Sequence, residues 1–403
     1  MTIYKIAQVS DQHQGYKTGT FKHPLTGRNL REQDGYDAHE EVISQIIDYK
    51  DREGLDAVIG SGDIFHSPEP SVYTIVQVQK QLKRLYQNNI PFYNIAGNHD
   101  STDSVREVPS NSVLDFPELN IFSYFSPYVK NEILPGIVCH FVSHHRFVEQ
   151  SATFEDVNPE KGKFNILVTH GSVYDSALNE VLHTENEPRE VVISEELMSK
   201  DWDYTIMGHI HERGWVHSKD RKTDTAERKQ FYGGSLIRRG FADKECKLGR
   251  GWTLWTIDTD KHTMIPEFFN ISQRTQLDIL ILCENKNVDE ITSNVKQEFD
   301  KIDFDKAPIV RVTFVGMTKI QENQMDWKRL LEPTKKCLTF NKRIRTKEEI
   351  KAEIKNSNFS FDLLKAYREF WELLKDEYPN ELKDRVKGTT EDLLKKGQDK
   401  VIS

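Results

Sequence analysis

The sequence predicts an α/β protein whose sheets are covered by helices. Three observations carry this. The first third alternates strand-length apolar runs with helix-length amphipathic runs in the order β-α-β-α-β, which builds a sheet with parallel strands and helical cover. Strand-length runs then crowd together as far as residue 258. A second, compact β-α-β pattern starts near residue 272.

The elements follow in order. IYKIAQVS (3–10) is a short apolar strand. Residues 36–53 carry a helical period through Val42, Ile43, Ile46 and Ile47. LDAVIGSG (55–62) is the second strand, 72–85 the second helix and PFYNIAG (91–97) the third strand. Strands are expected at 136–143, 164–171, 204–211, 231–236 and 252–258. After 272, LDILILCE is a strand, 287–301 a helix and APIVRVTFVG a strand. Beyond 320 no further strand is expected. FDLLKAYREFWELL (361–374) places Phe361, Leu364, Tyr367, Phe370, Trp371 and Leu374 on one helical stripe.

Composition narrows the function classes. A chain of 403 residues exceeds one domain of usual size, so two or three are expected. No run is long and apolar enough for a membrane span, and the N-terminus enters a strand without a signal-peptide layout. Cys139, Cys246, Cys283 and Cys337 are scattered, with no CxxC spacing. That predicts a reduced, cytoplasmic protein without a structural zinc site. A net charge of −9 argues against coating nucleic acid by bulk charge. Local basic patches exist around Lys17, Lys22, Arg28 and Arg31, around Arg238, Arg239, Lys244, Lys247 and Arg250, and in KRIRTK (342–347). Each, taken alone, reads first as a solvated face.

Polar residues gather where strands end. The strand ends run into Ser10-Asp11-Gln12-His13, Gly62-Asp63-Ile64-Phe65-His66, Gly97-Asn98-His99-Asp100, His170-Gly171 and Gly208-His209-Ile210-His211. Ligands of open α/β sheets bind outside the carboxyl ends of strands. Aspartate and asparagine oxygens with neutral imidazoles form a mixed O/N set suited to manganese, iron(II) or zinc. On extended strand ends, DxH and HxH would aim alternate residues to one side. A bridging carboxylate could hold two ions about 3.5–4 Å apart, the spacing that clamps a phosphate. Each short motif is weak by itself; five in order at strand ends are a strong signal. His144 and His145 read as structural or solvated, and His23, His39, His140, His183, His217 and His262 lack a matching context.

DQH, GDIFH, GNHD, THG and GHIH resemble the five motifs of the calcineurin-like metallophosphoesterases. GDIFH, and YGGSLIRRGF followed by GRGW, are similar to the DNA-repair nuclease branch that includes bacterial SbcD. The motif match covers residues 3 to 258, and the layout match most of the chain. Gln12 and Gln14 depart from the aromatic or leucine usual near the first histidine, and residues 16–33 lengthen the first loop. The resemblance implies a β-sandwich core flanked by helices, with a nuclease core at 1–271, a β-α-β DNA capping domain at 272–320, and a linker with C-terminal partner-docking helices at 321–403. It implies two divalent metal ions, manganese in this branch. Asp11, His13, Asp63 and His211 would hold one; Asp63, Asn98, His170 and His209 the other. His99 would be a catalytic histidine assisted by His66.

The function so implied is exonuclease and endonuclease action on DNA in repair and recombination. The partners would be an SbcC-like SMC ATPase, docked through the 361–374 stripe, and a second copy, through 71–85 and 105–115. The first alternative is a metallophosphodiesterase of nucleotides or other small phosphodiesters, which needs no capping unit, no C-terminal helices and no basic patches. The second is a non-catalytic scaffold, which has no need of a filled ligand set.

Overall fold

The computed structural model describes residues 2–19, 21–23, 25–102, 104, 107–148, 153–175, 180–181, 189–216, 229–241 and 248–346. They form two compact units. The first runs to Ile279 and takes in Gln297–Val312 and Lys328–Asn341; the second holds Leu280–Lys296, Thr313–Trp327 and residues 342–346.

Two six-stranded sheets form the first unit. One contains β1 (Ile3–Val9), β2 (Ala57–Gly60), β3 (Phe92–Ile95) and β4 (Ile121–Tyr124). The other contains β5 (Tyr128–Leu134), β6 (Ile137–Val142) and β7 (Phe164–His170). Two-residue strands β8 (Tyr174–Asp175) and β9 (Glu180–Val181) pair with each other. β10 (Tyr204–Gly208), β11 (Gly214–Trp215) and β12 (Gln230–Tyr232) join the second sheet, while β13 (Gly251–Asp258) and β14 (Thr263–Asn270) return to the first. The orders are β14-β13-β1-β2-β3-β4 and β11-β12-β10-β7-β6-β5. β1 to β4 are mutually parallel, as are β6, β7, β10 and β12.

Alternation along β1 shows how the layers are held. Ile6 faces the second sheet, in a core with Ile59, Ile95, Phe141, Ile166, Val168, Ile206 and Trp255. Ala7 and Val9 face the helices, in a core with Val42, Ile43, Ile46, Leu82 and Leu85. The helices are α1 (Leu30–Glu53) and α2 (Val72–Gln87). Asn29 caps α1 by accepting from the backbone N–H of Arg31 and Glu32, and Ser71 caps α2 through Thr74. A third core covers the outer face of the second sheet with Phe154, Val157, Leu197 and Trp202. Between the sheets Gln8 is fully satisfied: its amide donates to Ser61 Oγ (3.1 Å) and Met207 O (3.3 Å) and accepts from Trp255 Nε1 (3.0 Å).

A further sheet has the order β15-β16-β17, from Gln276–Leu282, Ile309–Val315 and Thr339–Arg345. The helix Val288–Phe299 connects the first two strands. In the second unit Phe314 packs edge-on to Trp327, their centroids 5.1 Å apart, and Lys342 Nζ lies 4.0 Å from the Trp327 ring centre. No helix among the described residues is long and apolar enough to cross a membrane.

Besides the two-residue strands β8, β9 and β11, four strands were not anticipated. β4 and β5 end their sheets, and β14 is an edge strand interrupted by Pro266 and half exposed. β17 corrects the expectation that strands stop near 320: it is the charged stretch TFNKRIR, so the KRIRTK patch is largely strand. α1 starts at Leu30 rather than 36, because LREQDG shows no apolar period and only the Asn29 cap marks the start. Arg31 and Arg250 are buried rather than solvated. Residues 361–374, His183, His217, Lys244 and Lys247 lie outside the described residues.

His39, on the buried side of α1, tests the core. Burial, with the Arg84 guanidinium adding, pushes its pKa down to about 3. The unfolded chain titrates near 6.5, so stability is lost as pH falls from about 6.5 towards 3. Between pH 8 and pH 5, urea unfolding is expected to show wild type losing about 2 kcal/mol more than His39→Gln. Parallel pH profiles would refute this role.

Candidate metal centre

The five motif-bearing turns lie at the carboxyl ends of β1, β2, β3, β7 and β10. The first three strands are neighbours in one sheet and the last two in the other. Facing sheets therefore bring all five ends together.

Backbone pairing continues past β1 and β2. Asp11 N–H donates to Gly62 O (3.2 Å), His13 N–H to Asp63 O (2.9 Å) and Gln14 N–H to Ile64 O (2.9 Å). The side chains are not aimed as extended strand ends would aim them, which corrects that expectation. Asp11 (φ +46°), His13 (+45°), Asp63 (+55°) and His209 (+100°) have left-handed backbones. Such residues cost roughly 1–2 kcal/mol each, and the turn swings consecutive motif residues into one cavity. Gly97 is required where the turns meet, because a Cβ there would stand 2.1 Å from Asp63 Oδ1.

Asp63 occupies the middle. Its Oδ1 accepts from the His99 backbone N–H (2.8 Å), and its Oδ2 lies 3.4 Å from His170 Nε2 and 3.8 Å from His13 Nε2. On one side, Asn98 Oδ1 is 2.8 Å from His170 Nε2 and 3.0 Å from His209 Nδ1. On the other, His13 Nε2 and His211 Nε2 face each other at 3.0 Å. Asp11 Oδ1 accepts from the His209 N–H (2.8 Å) and its Oδ2 from Ser10 Oγ. Asp11, His13, Asp63, Asn98, His99, His170, His209 and His211 are all buried, and His66 is half-buried.

The donor set fits divalent cations. Donor atoms about 3 Å apart match the spacing of neighbouring ligands each about 2.1 Å from one ion. Among the described residues, Asp11-His13-His211 and Asp11-Asp63-His170 each bring their donor atoms close enough to hold an ion, and so do His13, His66 and His99. A carbonyl only accepts, so His170 Nδ1–H donates to Ser61 O (2.8 Å). That leaves Nε2 as the atom turned inward.

Electrostatics divides the imidazoles. Burial and then the Arg239 guanidinium hold His13 and His211 well below the usual imidazole range. Burial also lowers His209. These rings are therefore neutral, with lone pairs available. Burial opposes charge on His170 as well, but the Asp63 carboxylate overrides it and raises the pKa to about 9. Burial likewise opposes ionisation of Asp63, yet His170 and His99 hold its carboxyl well below the usual range. Asp11 and Asp100 are pushed up to about 7, chiefly by burial and with Asp63 contributing.

His99 and His66 form a pair beside this cluster. Their rings stack with centroids 4.8 Å apart, and His99 Nδ1–H donates to His66 O (2.7 Å). Asn98 and His99 meet different neighbours: Asn98 Oδ1 faces His170 and His209, and the His99 ring lies against His66 and His13. Asp100, next in sequence, serves the backbone. Its carboxylate is engaged by the backbone N–H groups of Phe65 (2.9 Å), Gly97 (3.0 Å) and Ile64 (3.3 Å). The His66 carbonyl fixes the His99 ring instead.

Two residues enter without having been singled out. Glu190 Oε1 accepts from Ser172 Oγ (2.6 Å) and lies 3.6 Å from His209 Nε2; nothing in PREVVI marks it. Arg189 Nε donates to Asn98 O (2.9 Å), tying the same segment to the site. His144 is buried with Nε2 2.7 Å from Arg189 O, a structural role as expected.

Residues 4–213 match the model of the calcineurin-like phosphoesterases, and the chain belongs to that family. It is also similar to three archaeal proteins named DNA double-strand break repair protein Mre11. That of Saccharolobus solfataricus is 28% identical over 301 residues, 72% of this chain and 69% of the relative. That of Sulfurisphaera tokodaii is 26% identical over 323 residues, 78% and 74%. That of Sulfolobus acidocaldarius is 25% identical over 331 residues, 79% and 77%.

Asp100→Ala leaves three buried N–H groups without their acceptor. Its unfolding free energy should fall by about 3 kcal/mol or more, measured by urea denaturation. A loss under about 1 kcal/mol would show that water or another group replaces the carboxylate.

Proposed function

We propose that the chain is a metal-dependent DNA nuclease, hydrolysing phosphodiester bonds from ends and within strands during repair and recombination. The observation that carries this is the meeting of five strand-end turns around buried Asp63. The similarity to proteins named for double-strand break repair supports DNA as the substrate.

Asp11, His13, Asp63 and His211 would hold one divalent ion, and Asp63, Asn98, His170 and His209 the second, with Asp63 shared. Bound ions of this kind polarise a phosphate and acidify an attacking water. The chain's own residues do the rest. Asn98 adds an uncharged oxygen beside Asp63, which limits negative charge where a phosphate must approach. His99, its Nδ1–H engaged by His66 O, turns Nε2 to the substrate side. In its protonated form it gives a hydrogen bond, then the proton, to the leaving oxygen. His66, stacked on it, keeps the ring in place.

The remaining assignments complete the proposal. Residues 272–320 form the DNA capping domain, and 357–403 dock an SbcC-like SMC ATPase. Two copies pair through α2, whose Val72, Val76 and Tyr86 are exposed, with Val113 beside it; Gln79 of α2 donates to Val113 O (3.3 Å). The protein works in the cytoplasm.

His99→Gln should keep both metal equivalents and DNA binding while cleaving roughly 100-fold slower or worse. Asn98→Ala should lose part of one equivalent. Elemental analysis beside cleavage of linear DNA checks both. A full equivalent lost from His99→Gln, or its cleavage at the wild-type rate, refutes the division of roles.

Manganese is expected to support cleavage and magnesium little, because four of the ligand side chains are imidazoles and magnesium prefers oxygen. Equal rates in the two metals at saturation would overturn this.

A further inference from the structure

Arg239 is not among the ligands or the catalytic histidines, yet it reaches into the first group of ligands. It follows β12 on a stretch tied to both motif turns of that group: Leu236 N–H donates to Asp11 O (3.3 Å) and Ser235 N–H to His211 O (3.2 Å). Its neighbour Arg238 turns to backbone carbonyls, those of Leu248 (3.2 Å) and Arg274 (3.5 Å). Arg239 turns the other way. Its Nη1 lies 2.9 Å from His13 Nε2 and 3.4 Å from His211 Nε2.

A guanidinium has donors and no acceptor. The imidazoles must therefore accept, each through a nitrogen lone pair. That pair can take an N–H or ligate a cation, not both. A guanidinium beside a divalent ion also repels it, and burial leaves little water to screen the repulsion.

We infer that Arg239 competes with the cation for His13 and His211, and so makes this group the weaker of the two metal sites. The inference rests on the ligand assignment above. At the second group Asn98 supplies its side-chain oxygen, the Arg189 guanidinium meets Asn98 at the backbone oxygen instead (2.9 Å), and the Glu190 carboxylate lies 3.6 Å from His209. A displaced guanidinium has somewhere to go. The Tyr16 ring centre is 5.3 Å from the Arg239 guanidinium carbon, within cation–π range. Tyr16 in turn packs edge-on to His66, their centroids 4.9 Å apart. A shift towards that ring would carry positive charge towards the catalytic pair as a cation enters the first group.

The test is titration of the full chain with manganese by calorimetry and with cobalt(II) by electronic absorption. Wild type, Arg239→Met and Arg239→Lys are compared, each also with Asn98→Ala, which weakens the second group. Wild type should take up two equivalents with unequal affinity. Arg239→Met should tighten the weaker step roughly tenfold or more and leave the stronger within about twofold. The step that Asn98→Ala leaves unchanged should be the one that Arg239→Met tightens. Arg239→Lys keeps the charge but loses the planar fork; it should tighten the same step by less, and it decides the matter if the methionine variant fails to fold. In Arg239→Met, a lower-affinity step that is unchanged or weaker still overturns the inference, as does an equal shift of both steps. Absence of any metal uptake by wild type would instead overturn the ligand assignment beneath it.

Discussion

A single buried carboxylate organises the site. Asp63 is 1% exposed, and an ionised carboxylate taken out of water costs several kcal/mol unless it is paired. Its partners come from separate turns: the His99 N–H after β3 and the His170 imidazole after β7. None is near Asp63 in sequence, so the charge is tolerable only when the sheets are packed and their ends closed. Assembly of the core and assembly of the site are in this sense one event. The same constraint excludes a side chain at Gly97, where a Cβ would run into that carboxylate.

The fold was legible where one face of an element is buried. β1, β2, β3, β7 and β10 read as apolar runs because they lie between packed layers on both faces, and α2 shows its period because one stripe packs on the sheet. β5, β14 and β17 are edge or half-exposed strands with charged residues or proline, and their sequences do not separate them from loops. The site was legible for a different reason. Metal chemistry restricts the residue types, so five short motifs at five strand ends identify the same nine side chains that the fold brings together. Arg239 and Glu190 carry no such restriction, since arginine and glutamate are common on any surface. Adjacency in sequence alone suggests that Asp100 orients the His99 ring. The turn aims its carboxylate back at backbone N–H groups.

Many of the described arginines are engaged within the chain itself. Arg31 donates to Asp34 (2.8 Å) and Arg274 clasps the same carboxylate at 2.6 and 2.7 Å. Arg311 pairs with Asp278 (2.9 Å). Planar forks matched to carboxylates suit such internal ties, and these guanidinium groups are held by the protein itself. Others lie over aromatic faces, as Arg28 over Tyr73 at 3.4 Å and Arg213 over Phe268 at 3.2 Å. A count of basic residues in a stretch of sequence therefore overstates the positive charge available to an external phosphate.

The left-handed backbones at Asp11, His13, Asp63 and His209 have a consequence for how this sequence can drift. Glycine would relieve the backbone penalty at each position, and asparagine would reduce it. Selection for folding alone would therefore push these sites towards small, neutral residues. A descendant freed from its chemistry should lose its aspartates and histidines here first, and should become easier to fold as it does so. Such a lineage would keep the sandwich and its hydrophobic layers while the strand ends turned to glycine and asparagine. The positions under the greatest conformational tension thus report most directly whether a relative still performs the reaction.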